Sequence, residues 1–133
     1  MAGRHCPRLV AVIAIASKAG LAPGLGRGQR QVSTATPTRD QAIELARSAV
    51  GERLTAGTQI IGPVTSVFWH DGEFGTGEEC QLLLKTTRAR YPELEAHLVR
   101  NHPWQNPEVA AVALAAASKG CLDWIAANTA PAE

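Results

Sequence analysis

No stretch of this chain stays apolar for the roughly 20 residues that a membrane-crossing helix needs. The longest candidate, Leu9 to Ala16, falls well short, so no membrane partner is expected. Charge of either sign is not in excess. A formal net charge of +1 with acids and bases interleaved lacks the clustered cations of a nucleic-acid surface. Aromatics are 5% of residues, too few for a base-stacking platform, so no nucleic-acid partner is expected either. Cysteine is scarce and oddly numbered. Cys6, Cys80 and Cys121 stand at wide, irregular spacing, which excludes a disulfide framework and a C-x-x-C metal knuckle and points to reduced thiols in the cytoplasm. Also missing are H-E-x-x-H, G-x-S-x-G and phosphate-loop glycine spacings, because Gly24-Leu25-Gly26-Arg27-Gly28 fits neither dinucleotide nor Walker patterns. The chain is therefore not read as an enzyme.

What is present suits one globular domain: 133 residues, 45% apolar and 19% charged. Residues 1–30 read as an N-terminal extension outside the fold. They carry Arg4, Arg8, the short apolar run and Ala14-Ile15-Ala16, a weak signal-like pattern spoiled by Lys18 and the glycine tract. Export is the alternative to the cytoplasm if this segment acts as a signal. Residues 31–133 form the domain.

Gln31 to Ala35 reads as a strand, and Thr36-Pro37 as a capping hydroxyl with proline at the first helical position. Ala42, Ile43, Ala46, Ala49, Val50 and Leu54 then recur at three- and four-residue steps, predicting a helix that ends near Thr55 with Gly57 as its stop. Thr58 to His70 is β-rich, with Gly62-Pro63 placed for a bulge. Asp71-Gly72 is a hairpin turn, lengthened by Gly75-Thr76-Gly77 before β character resumes from Glu78 to Thr87. A second helix starts at Tyr91-Pro92-Glu93, buries Leu94, Leu98 and Val99, and stops at Asn101 and Pro103. Val109 to Leu114 is a strand, and Cys121, Leu122, Trp124 and Ile125 mark a final helix, with Trp124 as its main apolar residue.

The order βαββαβ plus α is that of an α+β ferredoxin-like sandwich with two helices on one face of an antiparallel sheet. Its long hairpin carries more apolar surface than two helices can cover. Ile60, Ile61, Val64, Val67, Phe68 and Trp69 therefore predict oligomerisation through the sheet and hairpin.

The segment Asn101-His102-Pro103-Trp104-Gln105-Asn106-Pro107-Glu108-Val109 is the densest in chemistry. Each proline pushes the residue before it out of the α region, so the chain must turn a corner there. His102 and Glu108 are candidate ligands for a borderline divalent cation, while the plainer reading is a helix-to-strand corner with Trp104 packed.

Four blocks carry a family resemblance. They are Glu52-Arg53-Leu54-Thr55-Ala56-Gly57, Pro63 to Glu73 (Pro-Val-Thr-Ser-Val-Phe-Trp-His-Asp-Gly-Glu), Leu84-Lys85-Thr86, and His102-Pro103-Trp104 with Pro107-Glu108-Val109. Over Gln31 to Thr129 the chain resembles the CutA divalent-cation tolerance proteins. That resemblance implies a ferredoxin-like homotrimer whose long hairpins pair between subunits, with a part in copper or other divalent-metal tolerance and no settled reaction. The copper ligands attributed to some members fall on Thr34, His102 and Glu108 here, so the cysteine is absent. The family's other common cysteine falls on Gly57. A nitrogen and oxygen pair without a thiolate suits Cu(II) or Zn(II), bound weakly and not required as a cofactor.

The remaining side chains have ordinary readings beside functional ones. Lys85, Arg88 and Arg90 are a solvated basic face or an anion site, and the latter would suit a trimeric small-molecule sensor of the PII type, by fold analogy alone. Glu73, Glu78 and Glu79 either keep the hairpin soluble or hold a hard cation, and His70 and Asp71 are either solvated at a strand end or an acid/base pair, the plainer reading being preferred in both. His97 is expected at the surface. Trp69 and Trp104 are packing anchors in the trimer or core.

Overall fold

A computed structural model describes residues 28–131. The expectations for residues 1–27 fall outside that range. The elements are β1 (Gln29–Thr36), α1 (Arg39–Gly51), β2 (Gly57–His70), β3 (Glu73–Thr87), α2 (Tyr91–Asn101), β4 (Ala110–Ala113) and α3 (Lys119–Asn128). This is the expected α+β order. The sheet runs β2-β3-β1-β4 and every neighbouring pair is antiparallel.

Alternation along β1 decides which side of the sheet is dry. Val32 lies opposite Leu84 and Thr34 opposite Leu82, and these positions share the face covered by α1 and α2. There Val32, Ala42, Leu45, Ala46, Ala49, Leu54, Cys80, Leu82, Leu84, Leu94 and Leu98 make one core. Each fully buried leucine contributes about 2–3 kcal/mol. The expected stripe on α1 is shifted: Leu45 is buried, whereas Ile43 and Val50 are exposed, and on α2 Val99 is exposed too.

The opposite face is not bare. Gly57 pairs with Lys85 on that side, and a Cβ at Gly57 would meet the Trp124 ring at 2.8 Å, so α3 lies across the second face near the start of β2. Gln29 Nε2 donates to the Leu122 carbonyl at 3.4 Å and ties the same helix to β1. Ile125, not Trp124, is the buried apolar residue of α3, because the indole rests on the glycine with one side in solvent.

Both ends of α1 differ from expectation. Thr38 is the cap, its hydroxyl accepting the Gln41 N–H at 3.2 Å, while Thr36 turns its hydroxyl to the Thr38 carbonyl and leaves Pro37 ahead of the helix. Replacing Thr38 with alanine is expected to cost about 1 kcal/mol in a urea melt. At the far end the helix closes at Gly51, not near Thr55. Leu54 N–H reaches the Ala49 carbonyl and Arg53 N–H the Val50 carbonyl, a Schellman closure with Arg53 at φ 58° in the position glycine usually takes. Buried Leu54 supplies the apolar contact that accompanies such closures. Gly57 is then free to open β2 instead of stopping a helix.

The hairpin is tighter and longer than expected. Asp71 (φ 50°) and Gly72 (φ 80°) form the whole turn, so β3 begins at Glu73 and Gly75 to Gly77 belong to the strand. Gly75 lies opposite Phe68, whose ring covers it and is buried. The bulge at Gly62-Pro63 falls where the sequence places it. Beyond it, Val64 to Glu79 is a two-stranded ribbon, because β1 pairs with β3 only from Cys80 to Thr87. Val67, Trp69 and Phe74 share one exposed face of this ribbon, Trp69 at 70% and Phe74 at 66% exposure.

Candidate functional site

Pro103 dictates the corner's backbone. It forces His102, the C-cap of α2, into an extended conformation (φ −78°, ψ 144°), which swings the imidazole back over β1. There its Nε2–H donates to the Ala35 carbonyl at 2.8 Å, and the Thr34 hydroxyl lies 3.3 Å from the same nitrogen. Trp104 N–H donates to Nδ1 at 3.1 Å. These contacts fix one neutral tautomer. The Trp104 indole, half-buried, stacks obliquely on the imidazole at 5.3 Å and 30°. Glu108 lies half-buried at the entrance to β4.

A resident metal does not suit this arrangement. A cation at Nδ1 must displace the Trp104 amide, and one at Nε2 must displace both a proton and the Ala35 contact. Thr34, fully buried, offers a neutral hydroxyl where a thiolate would be a strong donor. Among the described residues no three His, Cys, Asp or Glu side chains converge to hold a metal ion. The corner permits a labile nitrogen and oxygen contact at most.

The basic residues are separated by their elements. Lys85 is half-buried on the face that carries α3. Arg90 precedes α2 and is committed to Glu93 at 2.5 Å and to the Arg53 carbonyl. Arg88 is exposed, and its charge acts on Arg30, a neighbour the sequence reading did not single out. Burial, then the Arg88 charge, pulls the Arg30 guanidinium below its ordinary value. Next to Arg90, the Tyr91 phenol is pushed up to about 12, first by burial and then by its bond to Glu95.

At the ribbon, His70 Nε2 lies 3.3 Å from the Asp71 carboxylate at the turn, and Glu73 and Glu78 are exposed. Glu79 is buried, so it is not one of the hairpin's solubilising carboxylates. Trp69 meets Phe74 edge-on at 5.7 Å.

His97 is the largest departure from expectation. It is 3% exposed, between Leu94 and Leu98 on the core face of α2, because residues three and four apart share a helix face. Its Nε2 is hydrogen-bonded to the Ser48 hydroxyl of α1, and its Nδ1 lies 3.9 Å from the Glu52 carboxylate. Ser48 also lines a cleft of about 350 Å³ with Gln41, Glu44, Leu45, Asn101 and Pro103. The four-residue spacing of Ser48 and Glu52 was the available signal for this cluster.

Residues 31–128 match the family model described as CutA1 divalent ion tolerance protein. The chain belongs to the CutA1 family. It is 34% identical over 93 residues to the divalent-cation tolerance protein CutA of Thermus thermophilus, covering 70% of this chain and 90% of that one. The solved CutA1 structure from the same organism superposes with a TM-score of 0.74 at 32% identity, over 77% of this chain and 99% of that one. CutA1 from Oryza sativa superposes with a TM-score of 0.75 at 28% identity, over 79% and 96%. The four-stranded sheet and three helices of this CutA1 member are thus the family's fold. No described helix of the CutA1 chain is long and apolar enough to cross a membrane.

Proposed function

We infer that this CutA1 chain serves divalent-cation tolerance as a cytoplasmic homotrimer, meeting Cu(II) or another divalent cation weakly through His102, with Glu108 as the oxygen donor. The observation that carries this reading is the His102 imidazole, held in one orientation by Ala35, Thr34 and Trp104 beside a loop that brings Glu108 to β4. With a hydroxyl in place of a thiolate, the contact is reversible and no resident cofactor is involved. The apolar ribbon face of Val67, Trp69 and Phe74 supports the trimer, since two large aromatic side chains left 70% and 66% exposed gain from cover by another subunit. The free thiols Cys80 and Cys121 agree with a reducing compartment.

Calorimetric titration of the trimer with Cu(II) and Zn(II) tests the site. Dissociation constants above about 1 μM are expected, weakening a further tenfold or so in His102→Ala. Equal affinity in the two proteins removes His102 from the reading.

A second reading, a trimeric small-molecule sensor or assembly scaffold with no metal role, draws on the paired guanidinium charges of Arg30 and Arg88. A small anion retained by the trimer in native mass spectra, together with His102-independent metal binding, would favour it.

A further inference from the structure

The Ser48, His97 and Glu52 cluster shares none of the Ala35, Thr34 and Trp104 contacts that hold the His102 imidazole, and it has the order of groups that activates a hydroxyl nucleophile. Such a device needs a base within hydrogen-bond reach of the hydroxyl and a carboxylate facing the base's other nitrogen. It also needs access for a substrate. Here the Ser48 hydroxyl is bonded to His97 Nε2, and the Glu52 carboxylate faces Nδ1 from 3.9 Å. Nδ1 has no hydrogen-bond partner of its own, so an imidazolium formed during reaction would have Glu52 as its nearest counter-charge. The ring is shielded from water on the core face of α2, whereas Ser48 forms part of the cleft wall. Ser48 is half-buried, so the hydroxyl–imidazole pair lies where the cleft meets the α1–α2 contact, within the reach a general base needs.

We propose that Ser48 is an acyl-accepting nucleophile, with His97 as its general base and Glu52 as a positioning residue, acting on small carboxylic esters in the adjoining cleft. In the first half-reaction Ser48 Oγ bonds to the ester carbonyl carbon while its proton passes to His97 Nε2. The carbon–alkoxy bond then breaks, and the alkoxide leaves with that proton as an alcohol. Water attacks the acyl-serine by the same relay, releasing the carboxylic acid and restoring Ser48. Asn101 lines the cleft and spends one amide proton on the His97 carbonyl, leaving the second for the developing oxyanion. Glu44 is the charged group among the lining residues, so uncharged or cationic esters are accepted and acids repelled. A volume of about 350 Å³ limits the substrate to the small end of the ligand range.

The full chain is treated with a fluorophosphonate probe and mapped by mass spectrometry, with p-nitrophenyl acetate as the turnover substrate. The expected result is an adduct on Ser48, absent in Ser48→Ala and His97→Gln, with turnover about 100-fold lower in both. Glu52→Gln is expected to lower kcat with KM and melting temperature unchanged, since that side chain is 65% exposed and serves no core contact. No adduct on Ser48 in the folded wild type overturns the proposal, even if His97→Gln fails to fold. Labelling or turnover that survives in Ser48→Ala overturns it as well, and an unchanged kcat in Glu52→Gln removes the carboxylate from the relay.

Discussion

Trp69→Ser combined with Phe74→Ser is expected to leave the chain monomeric at micromolar concentration, where the proposed trimer assembles. The two rings pair edge-on at 5.7 Å on the exposed ribbon face, beyond the β3 residues that pair with β1. Together they present roughly 250 Å² of apolar surface per protomer, worth about 6 kcal/mol if an interface removes it from water. Side-chain ordering takes back part of that gain. What remains is several powers of ten in the assembly constant. Sedimentation velocity should show the double variant at the mass of one chain and the wild type at the three-chain mass of the proposed assembly. An unchanged sedimentation coefficient would mean that the subunits meet through another surface.

Leu82→Ala should be the most damaging single change inside a protomer. Leu82 is fully buried in the middle of β3, under both α1 and α2, where neighbours anchored on three elements cannot collapse to refill the space. A loss of about 3–4 kcal/mol is expected, lowering the melting temperature by roughly 15–25 °C for a domain of this size. The melts need equal protein concentrations, because assembly shifts apparent stability by mass action. Ile43→Ala, on the exposed side of α1, is the control and should change stability by about 0.5 kcal/mol or less. A loss at Leu82 as small as the control's would contradict the assignment of the core.

Much of the fold is legible because its signals are local. Asp71-Gly72 forces a two-residue turn through backbone angles that few other pairs adopt, and Gly62-Pro63 marks the bulge through a proline that cannot donate to the ladder. The end of α1 is illegible for the converse reason. Its closing residue is Arg53 in a left-handed conformation, and nothing about an arginine announces that role. Gly75 to Gly77 read as turn residues, yet Phe68 lies over Gly75 and makes a strand position of it through a contact made across the hairpin.

The site divides in the same way. Pro103 and Pro107 announce the corner, but the ring contacts that limit His102 come from Ala35 and Thr34, far away in the chain. His97 is the sharper case. Five residues before His102, His97 stands about 140° around the helix from it and reads as a surface histidine, yet it lies between two buried leucines. Its burial depends on a hydroxyl from α1, a partner that only the packing of the two helices supplies.

The placement of the three tryptophans also gives the protein built-in optical reporters. Trp69 stands on the ribbon, Trp104 at the His102 corner, and Trp124 over Gly57 at the start of β2. Variants that keep one indole each would separate three events in the emission spectrum. Trp69 would shift to the blue as subunits associate, Trp104 would quench when Cu(II) reaches the imidazole, and Trp124 would shift to the red when α3 lifts from the sheet.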